Sequence, residues 1–166
     1  MQASDFTPII GDCCAEVLDA MYFAAVLETR QSFGPRPDVE EDRIGFNLHF
    51  QGDVHGWFGV QLSPATARTL ASNFLGEEED ALSLEEVREV VGELTNMLCG
   101  SLASRVEGRS KFVLSHPEPT TSDPAPMQDA LISDIDTDLG PIRTWVALDP
   151  NQAMAETSNE DSRVHP

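Results

Sequence analysis

The chain has 166 residues, enough for one domain with a sizeable core and too few for two. Its formal net charge of -19 and pI near 4.2 disfavour nucleic acid and anionic membrane as partners, since phosphate-rich surfaces would be repelled over most of the molecule. Hydrophobic residues make up an ordinary 40%, no apolar run approaches the roughly 18 residues that span a bilayer, and the first residues lack the regions of a secretory signal; no membrane insertion and a cytoplasmic location are expected.

Residues 11 to 29 predict a first helix, because Val17, Leu18, Met21, Tyr22, Ala25 and Val26 recur at helical spacing behind Asp12, a candidate N-cap. Cys13 and Cys14 within it, together with Cys99, make an odd count without metal-ligand spacing, so small buried thiols are expected rather than a disulfide or zinc site. Gly34, Pro35 and Pro37 among several acids make 31 to 42 a loop. Ile44, Phe46, Leu48 and Phe50 then alternate with Gly45, Asn47 and His49, the pattern of a strand buried on one face. Gln51-Gly52-Asp53 is turn chemistry, and 54 to 62 returns as the second arm of a hairpin. His49 and His55 lie on the two arms without a third ligand, so ordinary sheet positions explain them better than a metal pair. Ser63 as N-cap with Pro64 behind it opens a short helix that runs to about Leu75 and stops at Gly76. Glu77-Glu78-Glu79-Asp80 reads as a solvated connection.

Residues 84 to 107 read as one long helix. Ser83 and Glu86 form a capping-box pattern at its start, and Gly108 stands where a left-handed residue would end it. Leu84, Val87, Val90, Val91, Leu94, Met97, Leu98 and Leu102 fall on one arc that must be buried. Glu89, Glu93, Asn96 and Gly100 fall on a second stripe, with Gly92 beside it. Glycine costs about 1 kcal/mol inside a helix relative to alanine, and asparagine is a mediocre helix former. A face kept shallow by small residues, with a carboxylate and a carboxamide standing up from it, suits close docking of another surface; the plain alternative is a solvated face.

Beyond the helix, Lys111-Phe112-Val113-Leu114-Ser115 predicts a strand, ended by His116-Pro117-Glu118-Pro119. Four prolines make 117 to 126 an extended connector. Residues 130 to 137 and 142 to 148 flank Asp138-Leu139-Gly140-Pro141 as a terminal hairpin, with Trp145 either buried or at an interface. Asp134, Asp136 and Asp138 lack the ordered ligand pattern of a calcium loop and read as solvated strand residues. The order of elements predicts an α+β domain over 1–149, a mostly antiparallel sheet with helices packed on one face, followed by a polar, mobile tail over 150–166.

The run Glu89-Val90-Val91-Gly92-Glu93-Leu94-Thr95-Asn96-Met97-Leu98-Cys99-Gly100 resembles the signature helix of the CheC/CheX/FliY group of chemotaxis phosphatases, whose pattern is close to E-x-x-G-E-L-x-N-M-x-x-G. Upstream, Gly52-Asp53-Val54-His55-Gly56-Trp57-Phe58-Gly59-Val60-Gln61-Leu62, then Ala67, Leu70, Ala71 and Leu75-Gly76, is similar to the strand and short helix that precede the motif in the CheX branch. A single Glu-x-x-Asn points to that branch, since CheC-like members carry two. The resemblance implies a CheX/CheC-like fold, hydrolysis of the aspartyl phosphate of a CheY-like response regulator in chemotaxis or two-component signalling, and a homodimer joined through the sheets. It implies no cofactor on this chain, the Mg2+ being carried by the regulator.

The chemistry fits the residue types. An acyl phosphate held beside a magnesium and a lysine of its own receiver lacks only a water in line with phosphorus, and a carboxamide can fix that water without adding charge. Asn96 takes that role; Glu93, one turn earlier, would meet the receiver lysine and set the register of docking. Glu89 is a candidate rim contact, and Gly92 and Gly100 would let the helix approach closely. Because receivers have an acidic pocket, attraction to so acidic a chain must be local, or the receiver's magnesium and lysine must offset the repulsion. A non-catalytic dimeric module that sequesters a signalling partner would use the same surface, but would have to match its partner in concentration.

Overall fold

The computed structural model describes residues 1–40, 42–106, 111–120 and 129–149. A 3-10 turn, Ala3–Phe6, leads into α1, Thr7–Tyr22, which has Pro8 in its first turn. Phe23 ends the helix in the left-handed region at φ 53°, and the Ala24 N–H donates to the Leu18 carbonyl at 3.0 Å. The helix therefore starts before the predicted Asp12 cap and stops well short of residue 29. The chain continues instead as a strand, β1, Val26–Gly34, paired antiparallel with β6, Ala130–Thr137. Ala25 and Val26 continue the helical spacing of α1 in sequence, and β1 is an edge strand with most side chains exposed, so no alternation betrays it. The loop predicted from residue 31 begins only after Gly34.

The centre matches its sequence. β2, Ile44–Gln51, and β3, Gly56–Leu62, form the expected hairpin in the register Ile44↔Leu62 through Phe50↔Gly56. α2, Pro64–Leu75, is capped by Ser63, whose Oγ accepts from the Thr66 N–H at 3.2 Å, and closes on Gly76 at φ 68°. α3, Leu84–Val106, carries the predicted box: the Glu86 N–H donates to Ser83 Oγ at 3.1 Å, and the Ser83 N–H to Glu86 Oε1 at 3.2 Å. Gly108 and the tail over 150–166 lie outside the described residues, as does 121 to 126 of the connector. The strand predicted at 111 to 115 is shorter, β4 at Val113–Leu114, and the proline segment adds β5, Glu118–Pro119; both pair with β2. β6 and β7, Gly140–Leu148, complete the terminal hairpin.

The sheet is seven-stranded and antiparallel, in the order β1-β6-β7-β3-β2-β4, with β5 also on β2. The three α-helices gather on one face. There Leu48, Phe58, Val60, Leu62, Leu131 and Val146 meet Leu18 and Tyr22 of α1, Leu70 of α2, and Val91, Leu94 and Leu98 of α3. Each such side chain contributes about 1.5–3 kcal/mol by leaving water. Leu84, expected on the buried arc of α3, is instead 49% exposed: periodicity assigns a face, but not how far along the helix packing partners continue. All three thiols are free and buried, and burial pushes those of Cys14 and Cys99 up to about 12.

On the opposite face Trp145 is buried within the chain, with Ala130 and Ala147, Trp57 at its side, and the Arg36 guanidinium 4.8 Å from its ring centre. Gly59 lies beneath the indole, where any side chain would collide with it. Among the described residues no helix is long and apolar enough to cross a membrane.

Candidate functional site

The site begins with the edge of β2. Phe46↔Pro119 and Phe50↔Leu114 pair across that edge, the Ser115 N–H donates to the His49 carbonyl at 2.8 Å, and the Thr120 N–H to that of Gly45 at 2.9 Å. These bonds hold residues 113 to 120 as a strap alongside α3. Between strap and helix lies a groove of about 700 Å³. Leu114, Ser115, His116, Pro117 and Pro119 line one wall, and Phe46 contributes from β2.

The helix wall follows from spacing. Residues four apart stack on one face, so Glu85, Glu89 and Glu93 form one row, and Arg88, Gly92 and Asn96 the row beside it. Both rows line the groove. Gly92 is buried, and a Cβ there would sit 3.3 Å from Phe46 Cε1 and 3.9 Å from Pro117 Cβ, so its missing side chain seats the helix closely on β2. Gly100 differs: it is half-buried, outside the groove lining, and a Cβ would meet only Leu114 Cδ1 at an ordinary 3.9 Å.

Asn96 is half-buried rather than exposed as a solvated stripe would have it. Its carboxamide makes no hydrogen bond to any described residue, which leaves both donors and the acceptor free toward the groove. Glu93 is exposed and likewise has no hydrogen bond or ion pair among the described residues. It lies near the end of α1, where the buried Tyr22 hydroxyl contacts Met97 Sδ at 3.7 Å; burial above all, and then the charge of Glu93, raises the pKa of that phenol.

His49 Nε2 is 2.9 Å from Asp149 Oδ2 and its ring lies 4.9 Å from Trp57, while the imidazole centres of His49 and His55 are 6.4 Å apart. Among the described residues no three His, Cys, Asp or Glu side chains are grouped as metal ligands would be. The strap, Phe46 and Arg88 are the parts of the site that sequence reasoning missed. The proline run that marks the strap is legible as the end of a strand and an extended connector, though not as a wall beside α3, and Arg88 could have been found by stepping back four residues from Gly92.

The site is thus a groove lined by Glu93 and Asn96 of a long helix packed on one face of an antiparallel sheet. The model of the family described as chemotaxis phosphatase CheX matches residues 44–134, more than half of the sequence, and the chain belongs to that family. No curated protein matches it. Its fold is that of several solved structures. The CheX protein of Desulfovibrio desulfuricans is 16% identical, with a TM-score of 0.68 over 87% of this chain and 99% of that one. CheX of Borrelia burgdorferi, solved as a CheX-CheY-BeF3-Mg2+ complex, is 20% identical, with a TM-score of 0.67 over 87% and 97%. The CheX of Vibrio vulnificus is 18% identical, with a TM-score of 0.66 over 90% and 99%.

Proposed function

We propose that this chain hydrolyses the aspartyl phosphate of a CheY-like response regulator. The observation that carries the reading is the uncommitted carboxamide of Asn96 in a groove, one turn from the uncommitted carboxylate of Glu93. Membership of the CheX family supports the reaction class, and the complex solved for the Borrelia relative supports a CheY-like partner that brings Mg2+ with it. Asn96 would hold a water by donating to it or accepting from it. The water oxygen attacks phosphorus, the bond from phosphorus to the receiver carboxylate breaks, and the carboxylate leaves with the bonding pair as inorganic phosphate forms. The receiver's own magnesium and lysine offset the charge on the phosphoryl oxygens, so this chain adds position rather than charge. Glu93 meets that lysine and fixes the register; Glu89 contacts the rim.

The same reading includes a homodimer joined through the sheets; β1, an edge strand among the described residues, exposes Leu27 at 69% and Phe33 at 55% and is the edge we propose for it. The test is phosphate release from a phosphorylated CheY-like receiver in the presence of sub-stoichiometric protein. Multiple turnovers are expected. Tight binding without acceleration would replace the catalyst by a sequestering module.

A further inference from the structure

We infer that Arg88 is the residue by which α3 grips its protein partner, through a carboxylate on the partner that lies outside the phosphorylation pocket. The phosphatase reading supplies the identity of that partner; the contact itself follows from how this chain uses its cations.

In a chain of net charge -19, cations are few, and the described arginines are committed with a single exception. Arg30, Arg43, Arg105 and Arg143 are paired with carboxylates, at 2.8 Å to Asp136 for Arg30 and 2.6 Å to Asp134 for Arg143. Arg68 donates to the carbonyls of Glu79 and Leu82 at 3.1 and 2.8 Å, and Arg36 lies over Trp145. Arg88 is exposed and makes no hydrogen bond or ion pair with any described residue, although Glu85 stands three positions before it and Glu89 next to it. Among the described residues it is also the one arginine that lines the groove.

Its place in the row gives the contact a geometry. Arg88 and Asn96 are eight residues apart on one helix face, about 12 Å along the axis at the usual rise. Gly92 between them has no side chain to separate the two. A metal-holding carboxylate must lie about 2 Å from its magnesium, so a group meeting Arg88 while Asn96 serves the phosphorus belongs to the rim of the receiver. A guanidinium offers a planar fork that binds a carboxylate through two hydrogen bonds. Such a contact supplies a local attraction between an otherwise acidic chain and a carboxylate of its partner, and it raises the association rate in a salt-dependent way.

The experiment compares wild type, Arg88→Gln and Arg88→Glu for binding to a CheY-like receiver loaded with beryllofluoride and Mg2+, and for phosphate release from the phosphorylated receiver. We expect Kd and KM to rise about tenfold in Arg88→Gln and further in Arg88→Glu, with kcat at saturation held and a weaker salt dependence of association. Reversing one rim carboxylate of the receiver to lysine should restore binding to Arg88→Glu. Unchanged Kd and KM in Arg88→Gln beside normal wild-type turnover would overturn the inference and leave the phosphatase reading standing. Binding that depends on Arg88 without any acceleration by wild type would do the reverse. A wild-type protein that neither binds nor acts on the receiver would remove both.

Discussion

The hairpin of β6 and β7 and the first three turns of α3 are both dense in charge, and they dispose of it in opposite ways. In the hairpin, Asp134 receives Arg143 from the neighbouring strand, Asp136 receives Arg30 from β1, and Asp138 accepts the Ala25 N–H at 2.8 Å. On α3, Glu85, Arg88, Glu89 and Glu93 have no hydrogen bond or ion pair among the described residues. The physical difference is the neighbour. A strand inside a sheet has side chains of two adjacent strands beside each of its own, and the register Asp134↔Arg143 places opposite charges directly across. The outer rows of a helix face have only solvent and the groove. Charge in the first region is consumed by architecture, whereas in the second, apart from Glu86 in the helix cap, it is left uncommitted among the described residues.

Substitutions should separate the two regions. Asn96→Ala should have the largest effect, lowering receiver-dependent phosphate release about 100-fold, the order expected when a reacting water loses its alignment, while the unfolding midpoint stays put. Gly59→Ala should do the converse. Its Cβ would run into the buried indole of Trp145 in β7, and overpacking of this kind costs about 1–3 kcal/mol, read as a lower urea midpoint with turnover per folded molecule retained. Glu93→Ala comes next: loss of one charge-assisted contact should raise KM for the phosphorylated receiver about tenfold with a smaller change in kcat, and an unaltered KM would remove its docking role. The smallest effect belongs to Asp134→Asn. Its pair with Arg143 is partly exposed, the Arg side chain at 41% and the Asp at 33%, so urea unfolding should shift by no more than about 1 kcal/mol and catalysis should not respond.

Much of the fold was legible because its central elements state their own ends. Ser63 and Gly76 bound α2, Ser83 and Glu86 open α3, and the alternation from Ile44 to Phe50 fixes the buried face of β2. β1 was illegible for a physical reason: an edge strand exposed on most positions needs no hydrophobic period, so it merged with the helix before it. The candidate site was half legible. The helix rows follow from spacing, but β4 and β5 are two residues each, and a strap that exists only through bonds to β2 leaves no periodic signal. Gly92 illustrates the limit most directly. Sequence offered it as a clearing for a partner, and the structure adds an internal reason in the close approach of Phe46.

The most direct test sets the two charged regions against each other in one assay. Phosphate release from a phosphorylated CheY-like receiver is followed with sub-stoichiometric wild type, Asn96→Ala and Asp134→Asn. Asn96→Ala is expected to follow the receiver alone, and Asp134→Asn to superimpose on wild type. An Asn96→Ala protein that keeps the wild-type rate would contradict the claim that this face of α3 is where the chemistry happens.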